Sequence, residues 1–202
     1  VGSEMCIRDR YEGCAGREVA PTDQDNLCKI FFKNRQWYLD ADNASRKWGI
    51  PIPVLMAIMH QESKYVADAR PPRTTCLFIF PGSRPSSAYG YAQALDNTWK
   101  VYQRETENRG ADRDDFGDSI DFIGWYCYRS HKRCNISVTD TYSLYLAYHE
   151  GQGGFLRKTY SNKGYLKKTA LRVKHKAGIY ASQLAECRKK LKEAGGCCLW
   201  PF

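Results

Sequence analysis

The sequence predicts a single, mainly α-helical domain with at most a small β element. Apolar residues recur at helical spacing through most of the chain. The clearest run is Leu166, Ala170, Val173, Ala177, Tyr180, Leu184, Cys187 and Leu191. Its alternating steps of four and three keep one narrow stripe turned toward a core. The densest proline and glycine punctuation falls within residues 70–88 (Pro71, Pro72, Pro81, Gly82, Pro85), which marks a loop. Its centre, Cys76-Leu-Phe-Ile-Phe80, has room for one short strand. The chain's 202 residues, 43% hydrophobic and 13% aromatic, suffice for one sizeable core and do not fit disorder. No apolar run approaches the roughly 20 residues of a membrane-spanning helix.

The elements follow in order. Residues 1–10 read like a translated sequencing adaptor joined to a truncated gene, so they are set aside and a natural start with any signal peptide is expected to be missing. Residues 11–26 read as a tether, 27–195 as the folded domain and 196–202 as a tail. A first helix is expected over 27–48, with Leu27, Ile30, Phe31 and Trp37 inward and Gly49 as its stop. Pro51 and Pro53 then open a second helix that reaches Ser63. Further helices are expected over 96–107, 115–131 and 139–149, the last with Thr139 as N-cap and Gly151, Gly153 and Gly154 as breakers. The long helix carrying the Leu166 stripe has a basic opposite face (Lys167, Lys168, Lys174, Lys176, Lys189, Lys190) and most simply packs on the first helix.

Charge and cysteine narrow the setting. Net charge is +9, which favours an anionic polymer as partner: nucleic acid, anionic membrane or bacterial cell wall. Within residues 1–10, Arg8 and Arg10 cancel Glu4 and Asp9. Nine cysteines point to an oxidising compartment with some disulfides. No C-x-x-C pair occurs and the histidine spacing fits no zinc site, so neither metal nor cofactor is expected. Cys187 on the long stripe and Cys28 near the start of the first helix form a candidate disulfide. Cys127 and Cys134 can pair only if their helix ends between them, because two full turns separate Cα atoms by about 10 Å. Cys14, after Gly13 and before a polar stretch, is a candidate lipidation site, although Tyr11 and Glu12 depart from the usual small-residue cleavage pattern.

Glu62 is the leading candidate for chemistry. On the helix opened by Pro53, Leu55, Ile58, Met59 and Glu62 sit at i, i+3, i+4 and i+7, so the carboxyl shares an apolar face. Desolvation penalises its charged form and raises its pKa, the setting a proton-donating carboxyl needs at neutral pH. His60 lies two residues away on another face, which argues against a metal pair.

Two further signals follow Glu62-Ser63, each at an element boundary: Ser87-Ala88-Tyr89-Gly90-Tyr91-Ala92-Gln93, and Ala147-Tyr148-His149-Glu150-Gly151. In that order they resemble the soluble-lytic-transglycosylase (SLT) domain family of lysozyme-like enzymes that cleave bacterial peptidoglycan. The family pattern is Glu-Ser, then Gly-Leu-Met-Gln, then Ala-Tyr-Asn-x-Gly. Here Tyr91-Ala92 replaces Leu-Met and His149 replaces Asn. The resemblance covers roughly Leu27 to Ala185 and implies a lysozyme-like catalytic domain of the goose-type lysozyme and lytic transglycosylase kind.

The resemblance also implies roles. Glu62 is the single catalytic acid and then base in non-hydrolytic cleavage of the glycan strand. Gln93 lines the cleft and hydrogen-bonds substrate. The Tyr148 hydroxyl sits near Glu62 and positions it. Tyr91 forms cleft wall, Gly90 makes the turn, and Ser63 and Ser87 are weaker polar contacts. Peptidoglycan becomes the partner in place of nucleic acid. The location becomes the periplasm, with an outer-membrane lipid anchor as a candidate, while oligomeric state stays open. A goose-type hydrolase is the nearest alternative; it needs a second carboxylate, for which Asp68, Asp96 and Asp118 are candidates. A non-catalytic wall-binding protein is the other.

Overall fold

A computed structural model describes residues 19–72, 75–76, 80–81 and 86–193. The described residues form seven helices and one two-stranded antiparallel sheet. In chain order these are α1 (Leu27–Lys33), α2 (Arg35–Trp48), α3 (Ile52–Ser63), β1 (Thr75–Cys76), β2 (Phe80–Pro81), α4 (Asp96–Glu105), α5 (Phe116–Cys134), α6 (Thr141–Leu156) and α7 (Gly164–Glu193). The fold is mainly α, as the sequence predicts. The expected single strand is instead an antiparallel pair, Thr75 opposite Pro81 and Cys76 opposite Phe80.

α3 is the hub. Ile52, Val54, Leu55, Met56, Ala57, Ile58 and Met59 are all buried. A helix apolar on every side must be covered on every side, and α2, α5 and α7 surround it. Pro51 and Pro53 start it where no intrahelical N–H partner is needed.

The first helix splits in two. Asn34 is both the C-cap of α1 and the N-cap of α2, with φ −121° and ψ 78°. Its short amide favours such local breaks over helix interior. The expected inward residues Leu27, Ile30, Phe31 and Trp37 are all buried. α2 then packs along α5, and only the short α1 reaches α7 to any extent. α7 lies chiefly against α3 and α6, so the expected partnership with the whole first helix is corrected. All eight stripe residues of α7 are buried, and a disulfide joins Cys28 to Cys187 across 159 residues with Cα atoms 6.1 Å apart.

α5 begins at Asp115, whose carboxylate accepts from the Asp118 N–H at 2.8 Å. It continues unbroken through Cys127 and Cys134, which remain free thiols. The N-cap of α6 is Asp140 rather than Thr139, accepting from the Ser143 N–H at 3.2 Å. At Gly151 (φ 73°, ψ 157°) α6 kinks and then resumes to Leu156. The glycines there re-aim the helix instead of ending it. Among the described residues no helix is long and apolar enough to cross a membrane.

Candidate active site

Glu62 sits in the last turn of α3. The chain reverses directly after it. Lys64 (φ 54°) and Tyr65 (φ 59°) are consecutive non-glycine residues in the left-handed region, a conformation that persists only when its surroundings impose it. Tyr65 supplies that constraint. It is fully buried, and its hydroxyl lies 3.1 Å from the Met56 carbonyl and 3.1 Å from the Tyr180 hydroxyl on α7. The end of α3, and with it Glu62, is thereby locked to the core.

The Glu62 carboxyl is crowded by protein, although the residue keeps some solvent contact. Burial pushes its pKa up from 4.5 to about 7. Two groups act in the opposite sense without overcoming burial: the hydroxyl of Tyr145, as a hydrogen-bonding group, and the charge of Lys64. Among the described residues no carboxylate acts on it. A carboxyl poised near 7 can give up a proton and take one back in the same cycle.

The turn before α4 forms the next wall. Gly90 has φ 79°, and a Cβ there would lie 1.9 Å from the Arg113 carbonyl oxygen. Only glycine fits. The turn is tied by Gly90 N–H to the Ala69 carbonyl (3.0 Å) and Tyr91 N–H to the Arg113 carbonyl (3.0 Å). Gln93, itself at φ 48°, donates its side-chain amide to the Ala69 and Gly90 carbonyls, both at 2.9 Å. Its amide nitrogen thus braces the turn.

Tyr148 of α6 donates to the Ala92 carbonyl at 2.7 Å, joining α6 to this turn. Its ring packs edge-on against Tyr126 of α5, with centroids 5.1 Å apart. Gln93, Leu95, Phe122, Tyr126, Tyr148 and Glu150 help to line a cavity of about 270 Å³. The Tyr148 hydroxyl also lies within electrostatic reach of Glu62. Tyr148 therefore links the cavity to the acid.

Glu150 is enclosed by its partners: its side chain is 5% exposed. Burial alone would raise its pKa, but hydrogen bonds from Lys163, Thr159 and His149 hold it down at about 2. Lys163 reaches both its oxygens, at 2.8 and 2.9 Å. His149, in the Asn position of the family pattern, is exposed and 3.1 Å from Glu150.

The structure gathers Glu62, Gln93 and Tyr148, and it moves other expected residues elsewhere. Tyr91 is fully buried, edge-on to Trp37 and Phe116; it is core and not cleft wall, because these rings close over it from α2 and α5. Ser63 is buried, with its hydroxyl on the Met59 carbonyl at 3.3 Å. Ser87 accepts from the Asp96 N–H at 3.2 Å and so caps α4. The Tyr148 hydroxyl is spent on the Ala92 carbonyl; Tyr145, one helical turn earlier, is the hydroxyl that lowers the Glu62 pKa. The sequence reading missed Tyr145 and the cavity residues Phe122 and Tyr126. The i, i+3 spacing of Tyr145 and Tyr148 is the signal that could have found the first. Asp96 is committed to Arg113 at 2.7 Å, and Asp118 to Asn108 and the Asp112 N–H, both at 2.9 Å. Cys14 lies outside the described residues. Among the described residues no group of His, Cys, Asp and Glu is arranged to hold a metal ion.

A family model described as a transglycosylase SLT domain matches residues 5–187. None of the curated proteins matches the chain.

Proposed function

Because this chain belongs to the transglycosylase SLT domain family, we propose that it is a peptidoglycan lytic transglycosylase with Glu62 as its single acid and base. The observation that carries the reading is the Glu62 carboxyl, whose pKa burial raises to about 7 and which lies within electrostatic reach of Tyr148, a residue that lines a cavity with Gln93.

The reaction needs one proton moved twice. Protonated Glu62 donates to the oxygen linking N-acetylmuramic acid to N-acetylglucosamine. The C1–O bond breaks, and its electrons stay with the departing oxygen. The acetamido carbonyl stabilises the positive charge at C1. The C6 hydroxyl of the same muramic acid then attacks C1, and its proton goes to ionised Glu62. The product ends in a 1,6-anhydro ring, and no water enters. The nucleophile is tethered to the electrophile, so proximity supplies much of the acceleration. The Tyr145 hydroxyl orients the carboxylate and stabilises it between the two transfers.

A hydrolase would need a second carboxylate to activate water. The acidic residue on the cavity wall is Glu150, and it is a poor base. Its low pKa, and the Lys163, Thr159 and His149 contacts that fill its oxygens, leave it nothing to accept a proton with. The proposed substrate places the enzyme in the periplasm.

Mass spectrometry of digested cell wall tests the proposal. Anhydro ends, lighter by one water than reducing ends, are expected with the wild-type chain. Glu62→Gln should abolish them while retaining strand binding. Reducing ends as the main product, or turnover that survives Glu62→Gln, would refute it.

A further inference from the structure

A second cavity, of about 370 Å³, lies between α3 and α7. α3 and its cap contribute His60, Gln61 and Lys64, and α7 contributes Arg172 and Lys176. The lining residues Ala57, His60, Gln61 and Lys64 centre about 150° round α3 from Glu62, with Gln61 the nearest of them, so this cavity lies on the other side of the helix end from the proposed acid.

Three cations face this one space. Asp25 pairs with Lys176 but is itself 86% exposed. Arg172 spends one N–H on the Thr169 hydroxyl at 2.8 Å. The other carboxylate acting on Lys64 is Glu62, which the proposed mechanism starts in its neutral form. The cavity therefore carries excess positive charge when the cycle begins. The cations also oppose one another: burial lowers the Lys64 pKa, and Lys176 and Arg172 lower it further. Burial with Lys64 and Lys176 holds His60 at about 4, so it adds a neutral polar edge at pH 7. A bound anion would relieve this repulsion and gain charge-assisted hydrogen bonds.

The cavity is also connected to the chemistry. Lys64 acts on the Glu62 carboxyl, and Arg172 acts on the Tyr145 hydroxyl that lowers its pKa. A substrate whose reacting bond lies at Glu62 would bring an anionic arm here by passing round the end of α3. In peptidoglycan the peptide stem, with its free carboxylates, hangs from the muramic acid ring that supplies C1.

We propose that the cavity formed by Lys64, Arg172 and Lys176 is an anion subsite that receives a free carboxylate of the peptide stem on the sugar being cleaved. This rests on the transglycosylase reading above for the identity of the substrate. It makes the chain selective for strands that still carry their stems.

Calorimetric titration at low salt with a synthetic stem peptide tests this directly. Binding is expected, and amidating the peptide carboxylates should weaken it about tenfold, as should Arg172→Gln. Arg172→Lys should restore most of the affinity, which separates loss of charge from misfolding of the exposed α7 surface. In kinetics, the wild-type KM should be lower for stem-bearing strands than for strands stripped by an amidase, and Arg172→Gln should erase that difference. No peptide binding, or binding indifferent to amidation and to Arg172→Gln, overturns the proposal. So does inorganic phosphate that displaces the peptide at equal concentration, since the site would then be a general anion trap. The titration needs no turnover, so failure of the anhydro reaction and failure of the subsite are read separately.

Discussion

The Tyr145 hydroxyl of α6 acts on the Glu62 carboxyl of α3 as a hydrogen-bonding group and lowers its pKa. That interaction favours the ionised form and opposes burial. Tyr145→Phe removes it. The Glu62 pKa should then rise above about 7, and the alkaline limb of the kcat/KM profile should move to higher pH. Turnover should fall by about 10- to 100-fold, because the carboxylate loses its orientation. An unshifted pH profile would show that Tyr145 does not touch the working acid.

The same raised pKa makes a stability prediction independent of substrate. The folded chain holds the Glu62 proton up to about pH 7, whereas an unfolded glutamate releases it near 4.5. Between those values the native state binds more protons, so stability falls as pH rises. The full effect is present below pH 4.5 and is lost as pH passes 7. Its size is about 3 kcal/mol. Glu62→Gln cannot ionise. Urea denaturation should therefore find it more stable than wild type at pH 8 by up to that amount, and equal to wild type at pH 4. Equal stability at both pH values would mean that the carboxyl is freely solvated.

Much of this was legible in the chain, for physical reasons that differ by element. α7 was readable because eight positions obey one helical period over its whole length, and every one is buried. The end of α3 was readable because an apolar run has only one acid in it. What decided the rest lay elsewhere in the sequence. The family resemblance makes Tyr91 cleft wall, but Trp37 and Phe116 enclose it from other helices. Tyr145 and Tyr148 are equivalent by local spacing; the packing of α6 against α5 and α7 selects which hydroxyl acts on Glu62. Asn34 breaks the first helix at a position where periodicity continues through it. At Gly151 composition showed an interruption but not that the helix would resume at a new angle.

The Cys28–Cys187 disulfide closes most of the domain into one loop by tying α1 to α7. Constraint of the unfolded chain grows with loop length, and removal of such a bond typically costs about 2–5 kcal/mol. Cys28→Ser should lower the thermal midpoint accordingly, and reductant should do the same to the wild type. Cys134→Ser should leave the response to reductant intact, since its thiol is free. A reductant-insensitive midpoint for the wild type would contradict the pairing.

Gly90 offers a test of how the turn before α4 is built. Its φ of 79° disfavours any side chain, and the Arg113 carbonyl oxygen occupies the place where a Cβ would go, 1.9 Å away. Neither obstacle can be relieved cheaply, because the obstructing atom is backbone and the Tyr91 N–H is bonded to it. Gly90→Ala must push the turn off the chain before α5. The cost should exceed about 2 kcal/mol, the range of substitutions that strain a special backbone position. Gln93 accompanies the displacement, since its amide is held by the Gly90 and Ala69 carbonyls. So does the Ala92 carbonyl that anchors Tyr148. Activity should therefore fall further than the lost stability explains, with the surviving folded fraction showing a raised KM. A folded Gly90→Ala chain with wild-type KM would show that the turn does not shape the cleft.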